Sequence, residues 1–600
     1  MQTVDGVRMF QTMVTMRDGT RLNTFVYLPE QGGPRFPVIL QRTPYGITAG
    51  ITAGSADNTD CRHGWLPSAD APMRGSILRG YKNIVARGYV AVYQDTRGRY
   101  ASEGEDRVYA DDAADGYDTL AWIAGKPWCN QMIGMSGSSA GATTTFAAAS
   151  QRHPSLRAFF AQVGGSSIYD DVVYEGNAIE MERLWLWVAK NIPGLSASHR
   201  AAAMRKHGIS AAAMDQAAAS ANARYTRLDA AARATLPFIG DEDWMRLPLS
   251  QYPDFSTWQP FLDEILAHPA PDAFRAQHNF RRGIEIPGFH ATTWYDIFQT
   301  SVIAGFNDIQ SRVGNQKLWI GPNHHYYIYE SNFWPRDPYF EWFDHWLKGK
   351  STGIMQQPAV FYSPRAWVDD SANYVANDWR HAERWPPPGT TQRRLYLCGD
   401  GSLSTEAPAA AARIYTYDPR RPMPTLGGRN MSIDAGPRDQ RPAQALPDYG
   451  LIYRGKVLNE NVTIAGEVRV TLYVQSDCPD TDFVAKLIEV EPDGRAMLLM
   501  DGVVRAMYRD RASADAQRLE LDGVYPLTIS LAHIHHTLRA GNRIEVDITS
   551  SNFPRRARNT NSGNALLAND GDADIRVAWN TVHHGAAALS FIELPIVGAQ

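Results

Sequence analysis

Met132 to Ala149 reads MIGMSGSSAGATTTFAAA, and the reading of this stretch decides the fold. Inside it, Gly137-Ser138-Ser139-Ala140-Gly141 has the G-x-S-x-G spacing of a nucleophile elbow, a serine on a tight strand-to-helix turn with its hydroxyl pushed out of the backbone. A side chain at Gly137 or Gly141 would collide with the neighbouring strand or helix in so sharp a turn, and a β-carbon penalises any positive φ. The flanks fit that context. Met132, Ile133 and Met135 make a short apolar strand, and Ala142 to Ser150 is an alanine-rich run compatible with a helix. Gly/Ser-rich pentapeptides also occur in ordinary loops, so the surrounding chain has to decide between the two readings.

Upstream, Met13 to Leu28 alternates around Arg17-Asp18-Gly19-Thr20, which predicts a β-hairpin with an Asp-Gly turn. Phe36 to Leu40 is a buried-strand pattern that runs into Arg42-Thr43-Pro44-Tyr45, and Ile47 to Arg79, with Trp65, reads as a long surface excursion. Gly80 to Arg87 predicts a helix stopped by Gly88, Tyr89 to Gln94 a strand, and Asp111 to Ala124 a second helix before the elbow strand. Strand, helix, strand, helix, strand in succession argues a parallel, doubly wound sheet, and with the elbow at its centre the expectation is an α/β-hydrolase fold.

Downstream, Leu156 to Val163 is a further strand. From about Tyr169 to Arg282 strand signals give way to helical segments, such as Met181 to Lys190 and His199 to Ala234, which read as an inserted helical cap. Sheet character returns at Ile284 to Thr293 and at Lys317 to Ile320, and Tyr339 to Leu347 closes the unit as an amphipathic helix. From Ser351 onward short strand patterns separated by turns, Ala359 to Tyr362 among them, predict an all-β jelly roll. The expected domains are therefore α/β hydrolase over 1–165 and 284–350, cap over 166–283 and jelly roll over 351–600.

Composition agrees with several domains. At roughly 150 residues per domain, 600 residues allow two to four. A net charge of -5 gives no reason to expect nucleic acid or an anionic membrane as partner. Cys61, Cys129, Cys398 and Cys478 match no disulfide or zinc spacing. The N-terminus shows no signal peptide and the chain no long apolar run, so a cytoplasmic location is expected.

Chemistry at Ser139 needs an imidazole to take its proton and a carboxylate to hold that imidazole in one tautomer. In α/β-hydrolases the chain order is Ser, Asp or Glu, then His, in loops at the ends of strands. Ser139, Asp296 and His325 follow that order, each after a predicted strand. His324 competes with His325.

Arg42 to Tyr45 (RTPY), Asp95 to Gly104 (DTRGRYASEG), the elbow, Trp294-Tyr295-Asp296 and Gly321-Pro322 with His325 together resemble the cocaine esterase family of serine hydrolases, relatives of X-prolyl dipeptidyl peptidases and α-amino acid ester hydrolases. The resemblance continues through Asp477 to Phe483, Asp501-Gly502 and Ser550 to Arg555. It implies Ser139 as nucleophile, His325 as general base, Asp296 as its orienting partner, and an oxyanion hole formed by the Tyr45 hydroxyl and the Ala140 N–H. It implies Phe298 as an acyl-pocket aromatic, with Trp185 or Trp187 of the cap closing the pocket. Those two tryptophans stand at i and i+2 and cannot share one helix face.

Two departures from the family matter. Its G-P-W-x-H loop reads Gly321-Pro322-Asn323-His324-His325, and the acidic residues with which α-amino acid ester hydrolases hold a substrate ammonium are replaced by Ile297, Phe298 and Gln299. A buried ammonium without a charged partner is costly. Aminoacyl substrates are therefore disfavoured, unless Asp170 and Asp171 supply the charge.

His533, His535, His536, His583 and His584 lie in strand patterns without carboxylate or cysteine at ligand spacing and read as solvated strand positions, so no metal is expected. No nucleotide fingerprint is present, and no cofactor is expected. The expected activity is cleavage of a small-molecule ester or amide, by a monomer or a homo-oligomer. The competing readings are an X-prolyl or aminoacyl peptidase or α-amino acid ester hydrolase, and a non-catalytic binding protein that uses its jelly roll.

Overall fold

The computed structural model describes residues 2–4, 7–30, 33–47, 80–232, 242–252, 260–326, 338–369, 378–510, 513 and 515–598. Most of the expected Ile47 to Arg79 excursion, with Cys61 and Trp65, lies outside them.

Eleven strands form one sheet: β1 (Gln2–Val4), β2 (Val7–Thr15), β3 (Arg21–Leu28), β4 (Phe36–Thr43), β5 (Val90–Asp95), β6 (Cys129–Ser138), β7 (Leu156–Gln162), then, after a two-stranded ribbon β8 (Tyr174–Glu175) and β9 (Ala178–Ile179), β10 (Gly288–Tyr295), β11 (Gln316–His324), β12 (Val360–Tyr362) and β13 (Arg380–Ala382). Their order is β1-β2-β3-β5-β4-β6-β7-β10-β11-β12-β13, parallel from β5 through β12 and antiparallel at both edges. A parallel strand covered on both faces must be apolar on both. That is why β4, β5 and β10 are buried at every position and do not alternate.

Helices α1 (Tyr81–Ala86), α2 (Asp112–Ala124) and α3 (Ala140–Ala149) belong to the first half of the sheet. Between β7 and β10 come α4 (Met181–Asn191), α5 (Ala197–His207), α6 (Ala211–Ala232), α7 (Pro260–Leu266) and α8 (Ala273–Gln277). The predicted His199 to Ala234 helix is thus two helices, split at Gly208, whose φ of 65° caps α5. Its alanine run is not all surface. Ala203, Met214 and Ala221 form a small core with Ile192 and Leu195. Helices α9 (Gln299–Val313) and α10 (Tyr339–Lys348) complete the sheet domain.

Three expectations need correction. The strand expected from Ile284 begins at Gly288, because Ile284 to Pro287 come in from a turn and the strand starts where the chain reaches β7. The ribbon β8–β9 interrupts the region read as free of strands. The boundary expected at Ser351 does not end the sheet: Val360, Phe361 and Tyr362 pair in parallel with Leu318, Trp319 and Ile320, so the eleven-stranded sheet runs on to Ala382.

The remaining strands are antiparallel: β14 (Thr390–Leu397), β15 (Leu403–Ser404), β16 (Ala411–Tyr417), β17 (Leu451–Val457), β18 (Val462–Ser476), β19 (Asp482–Val490), β20 (Ala496–Arg505), β21 (Tyr525–Leu538), β22 (Arg543–Thr549), β23 (Ala578–His584) and β24 (Phe591–Val597). They make a seven-stranded and a four-stranded sheet. Inward residues such as Val468, Val470, Phe483, Leu487, Val546 and Ile548 belong to the main core. A fourth correction follows here. His533 and His535 are buried, and burial holds both imidazoles down at about 4. His533 accepts from the Trp385 indole at 3.2 Å, and His535 Nδ1 lies 3.0 Å from the Pro364 carbonyl, so both histidines sit against the chain that flanks β12 and β13, out of solvent. Among the described residues, no helix is long and apolar enough to cross a membrane.

Candidate active site

The elbow works by backbone crowding. Ser139 has φ 53° and ψ -122°, a conformation that an L-residue adopts only when its surroundings impose it. They do so here: the Ser139 N–H donates to the Gln162 carbonyl at 2.9 Å, while the Ser139 carbonyl accepts from Ala142 and Thr143 at 2.9 and 3.2 Å. The positive φ is carried by the serine itself. Gly137 is needed for room, since a β-carbon there would lie 2.1 Å from the Gly141 carbonyl oxygen, and one at Gly164 would lie 2.6 Å from that of Ser139.

Strand β11 ends beside this serine. His325 Nε2 lies 3.2 Å from Ser139 Oγ, and His325 Nδ1 lies 2.6 Å from Asp296 Oδ1. An ionised carboxylate only accepts, so Nδ1 carries the proton and Nε2 presents its lone pair to the serine. Asp296 is fully buried; its Oδ2 accepts from Thr292 Oγ1 at 2.8 Å, which fixes the carboxylate plane.

The neighbouring His324 is turned elsewhere. Its ring lies 6.0 Å from that of Trp367, and burial lowers its imidazole to about 4. Asn323, the departure from the family tryptophan, has its own task. With φ 64°, its N–H donates to the Ala366 carbonyl at 3.0 Å, while its side chain donates to the Val368 carbonyl at 2.9 Å and accepts from the Val368 N–H at 2.7 Å. These bonds pin the histidine loop to the chain that follows β12.

Tyr45 stands at the mouth of the elbow on the loop after β4. The loop is held from below: Arg99 Nε donates to the Pro44 carbonyl at 2.9 Å, and the Ile47 N–H donates to Asp95 Oδ1 at 2.7 Å. The Tyr45 hydroxyl accepts from Trp187 Nε1 at 3.1 Å, and the Ser139 side chain and the Ala140 backbone stand near enough to act on its phenol. Burial pushes its phenol above the usual range, and these groups act in the opposite direction.

Phe298 packs beside the histidine, with ring centroids 5.8 Å apart, and the Arg183 guanidinium lies over the Phe298 ring, 5.1 Å from its centroid. Arg183 also donates to the carbonyls of Ile297 and Val172 at 3.0 and 2.8 Å, which ties α4 to the aspartate loop. The two cap tryptophans divide as their spacing requires. Trp187 reaches Tyr45, whereas Trp185, 1% exposed, packs edge-on against Tyr252 inside the cap.

Asp170 and Asp171 do not offer free negative charge. Asp170 pairs with Arg275 at 2.8 Å. Asp171 pairs with Arg281 at 2.8 Å and accepts from the backbone of Ser166 and Ser167 and from the Ser301 hydroxyl. Sequence reasoning missed Arg99, Arg183, the bonds of Asn323 to Val368 and the Trp187 bond. Arg99 was within reach, because an arginine in the same motif as an apolar strand end has to be buried with partners.

Comparison with known proteins agrees with this architecture. Residues 18–327 match the X-Pro dipeptidyl-peptidase (S15) family, and residues 352–593 match the X-Pro dipeptidyl-peptidase C-terminal non-catalytic domain. The chain is 32% identical to the cocaine esterase of Rhodococcus sp. (strain MB1 Bresler), over 98% of each chain. Among solved structures, an α-amino acid ester hydrolase superposes with a TM-score of 0.74 at 21% identity, covering 99% of this chain and 98% of that one. An aminopeptidase from a marine sediment Thaumarchaeota archaeon does so with a TM-score of 0.73 at 22% identity, covering 100% and 98%.

Proposed function

Since the chain belongs to the X-Pro dipeptidyl-peptidase (S15) family, we propose that it is a serine hydrolase that cleaves small carboxylic esters through an acyl-enzyme. The observation that carries this reading is the unbroken relay from Ser139 Oγ through His325 to a fully buried Asp296. Ser139 attacks the ester carbonyl as its proton passes to His325 Nε2. The charge then rising on the carbonyl oxygen is met by the Tyr45 hydroxyl and the Ala140 N–H. His325 returns the proton to the leaving alkoxide, and a water repeats the sequence to free the acid. The helical segment 166–283 acts as the cap over this site, and the two-sheet domain beyond Ala382 is a jelly roll.

The acyl group is uncharged in this reading. A substrate ammonium beside Phe298 would find Asp170 and Asp171 already engaged by arginine, and a desolvated cation needs a partner. That favours esters over aminoacyl substrates and dipeptides. A fluorophosphonate probe should label Ser139 in the wild type, and a panel of p-nitrophenyl esters should outrun aminoacyl esters and anilides. Absence of labelling would return the chain to a binding role; faster turnover of aminoacyl esters would overturn the assignment of the acyl group.

The oxyanion hole has its own test. A donor that tightens only in the transition state lowers kcat when removed and leaves KM nearly alone. Tyr45→Phe should therefore cut kcat by about a hundredfold, the usual effect of losing one such donor. An unchanged kcat would make Tyr45 a structural residue of its loop.

A further inference from the structure

We propose that Trp187, on the cap helix α4, is a positioning residue of the oxyanion hole, directing the Tyr45 hydroxyl proton toward the carbonyl oxygen held at Ser139. The inference rests on the reading of Tyr45 and Ser139 given above and adds to it a bond supplied from the cap. An indole N–H can only donate, so at 3.1 Å the Tyr45 oxygen is its acceptor. The hydroxyl also meets the Ala140 N–H, a second pure donor, and the Ser139 side chain. Of these three groups, only the serine can receive the Tyr45 proton. Trp187 therefore turns the hydroxyl into the site.

The same bond has a larger effect in the transition state. As the oxyanion draws the Tyr45 proton, negative charge builds on the phenolic oxygen, and the indole N–H on its far side offsets that charge. Hydrogen bonds in such a chain strengthen one another. Burial by itself pushes the phenol up and would weaken it as a donor, and the Trp187 bond works against that.

The donor and the acceptor are held at fixed distance by one side chain. Arg99 is fully buried; its Nε donates to the carbonyl of Pro44, the residue before Tyr45, and its Nη2 donates to the carbonyl of Asn191 at 2.8 Å, one turn beyond Trp187. Asn191 in turn donates from Nδ2 to the Trp187 carbonyl at 2.7 Å. The Trp187 ring is braced by Tyr109, with centroids 6.0 Å apart. The Tyr45 loop and the cap helix are thus bolted to the same guanidinium, and the bond between their side chains is preorganised.

A double-mutant cycle on the full chain tests this. Replacing Trp187 by 3-benzothienylalanine keeps the bicyclic shape and deletes only the N–H; Trp187→Phe is the second variant. Each should lower kcat on a p-nitrophenyl ester by about tenfold in the wild-type background, the upper range for one hydrogen bond. In the Tyr45→Phe background each should change kcat by less than about twofold, because the acceptor is gone. Equal losses in both backgrounds, or no loss in the first, would overturn the proposal and leave Trp187 as a pocket wall while the hydrolase reading stands. If Tyr45→Phe alone leaves kcat unchanged, the reading of the oxyanion hole fails first, and this inference with it.

Discussion

Ser139→Ala, His325→Ala and Asp296→Asn are each expected to lower turnover by about 10⁴-fold or more with the fold intact, because the three groups act as one unit. The serine and histidine variants remove the bond-forming atom and its base. The aspartate variant is subtler. An amide at position 296 keeps the volume but can present an N–H to His325 Nδ1, which then gives up its proton and leaves Nε2 protonated toward the serine. The Thr292 hydroxyl, which donates to Oδ2 at 2.8 Å, biases the amide oxygen toward itself and so favours that wrong arrangement. His324→Ala is the internal control. Its ring is turned toward Trp367, and its loss should change kcat by less than about threefold, as for a residue outside the reacting group. Steady-state kinetics with circular dichroism on all four variants decides it. A dead His324→Ala beside an active His325→Ala would shift the general base by one position.

The parts of the molecule that sequence alone reveals are those with a local cause. The elbow needs its glycines wherever it occurs, parallel strands are apolar on both faces, and the order of serine, aspartate and histidine survives any loop length. Long-range choices leave no such mark. Val360 to Tyr362 is a three-residue apolar segment that suits either sheet, and only its pairing with Leu318 to Ile320 assigns it to the hydrolase. Likewise, alternating histidines in a strand look solvated until another domain covers them, as it covers His533 and His535. Trp185 and Trp187 could be separated into two faces by spacing, but which face meets Tyr45 depended on how the cap is seated. Asp170 and Asp171 looked like available charge because their arginine partners, Arg275 and Arg281, lie more than a hundred positions away.

Removing the β-domain should abolish activity, even when the cut is placed after the whole hydrolase sheet. A fragment ending at Lys350 loses β12 and β13 as well, so the sharper test is 1–384, which keeps them. The reason to expect failure is the chemistry of the seam. Gln299, three residues after Asp296, grips the His533 peptide with both ends of its amide: Nε2 donates to the carbonyl and Oε1 accepts the N–H at 3.1 Å. Glu182 of the cap accepts from the backbone N–H groups of Ser432 and Ile433. Burial raises the Glu175 carboxyl, but Arg429, Arg556 and Arg555 of the β-domain outweigh it and hold that carboxyl well below the usual range. Without these partners the face that the β-domain covers is opened to water, apolar side chains included, and such patches promote aggregation. Trp294, whose ring lies 5.3 Å from that of Trp385, would also lose the surface behind it. The aspartate loop would be free to shift, and a displacement of about 1 Å there is enough to lose a hundredfold in rate. The 1–384 fragment is therefore expected to aggregate, or to remain soluble with under about a hundredth of the wild-type turnover. Gel filtration with an ester assay separates these outcomes from the contrary one. A monomeric fragment with full activity would show that the catalytic loop keeps its geometry without the β-domain, and that the Gln299 clasp holds two finished domains together without shaping either.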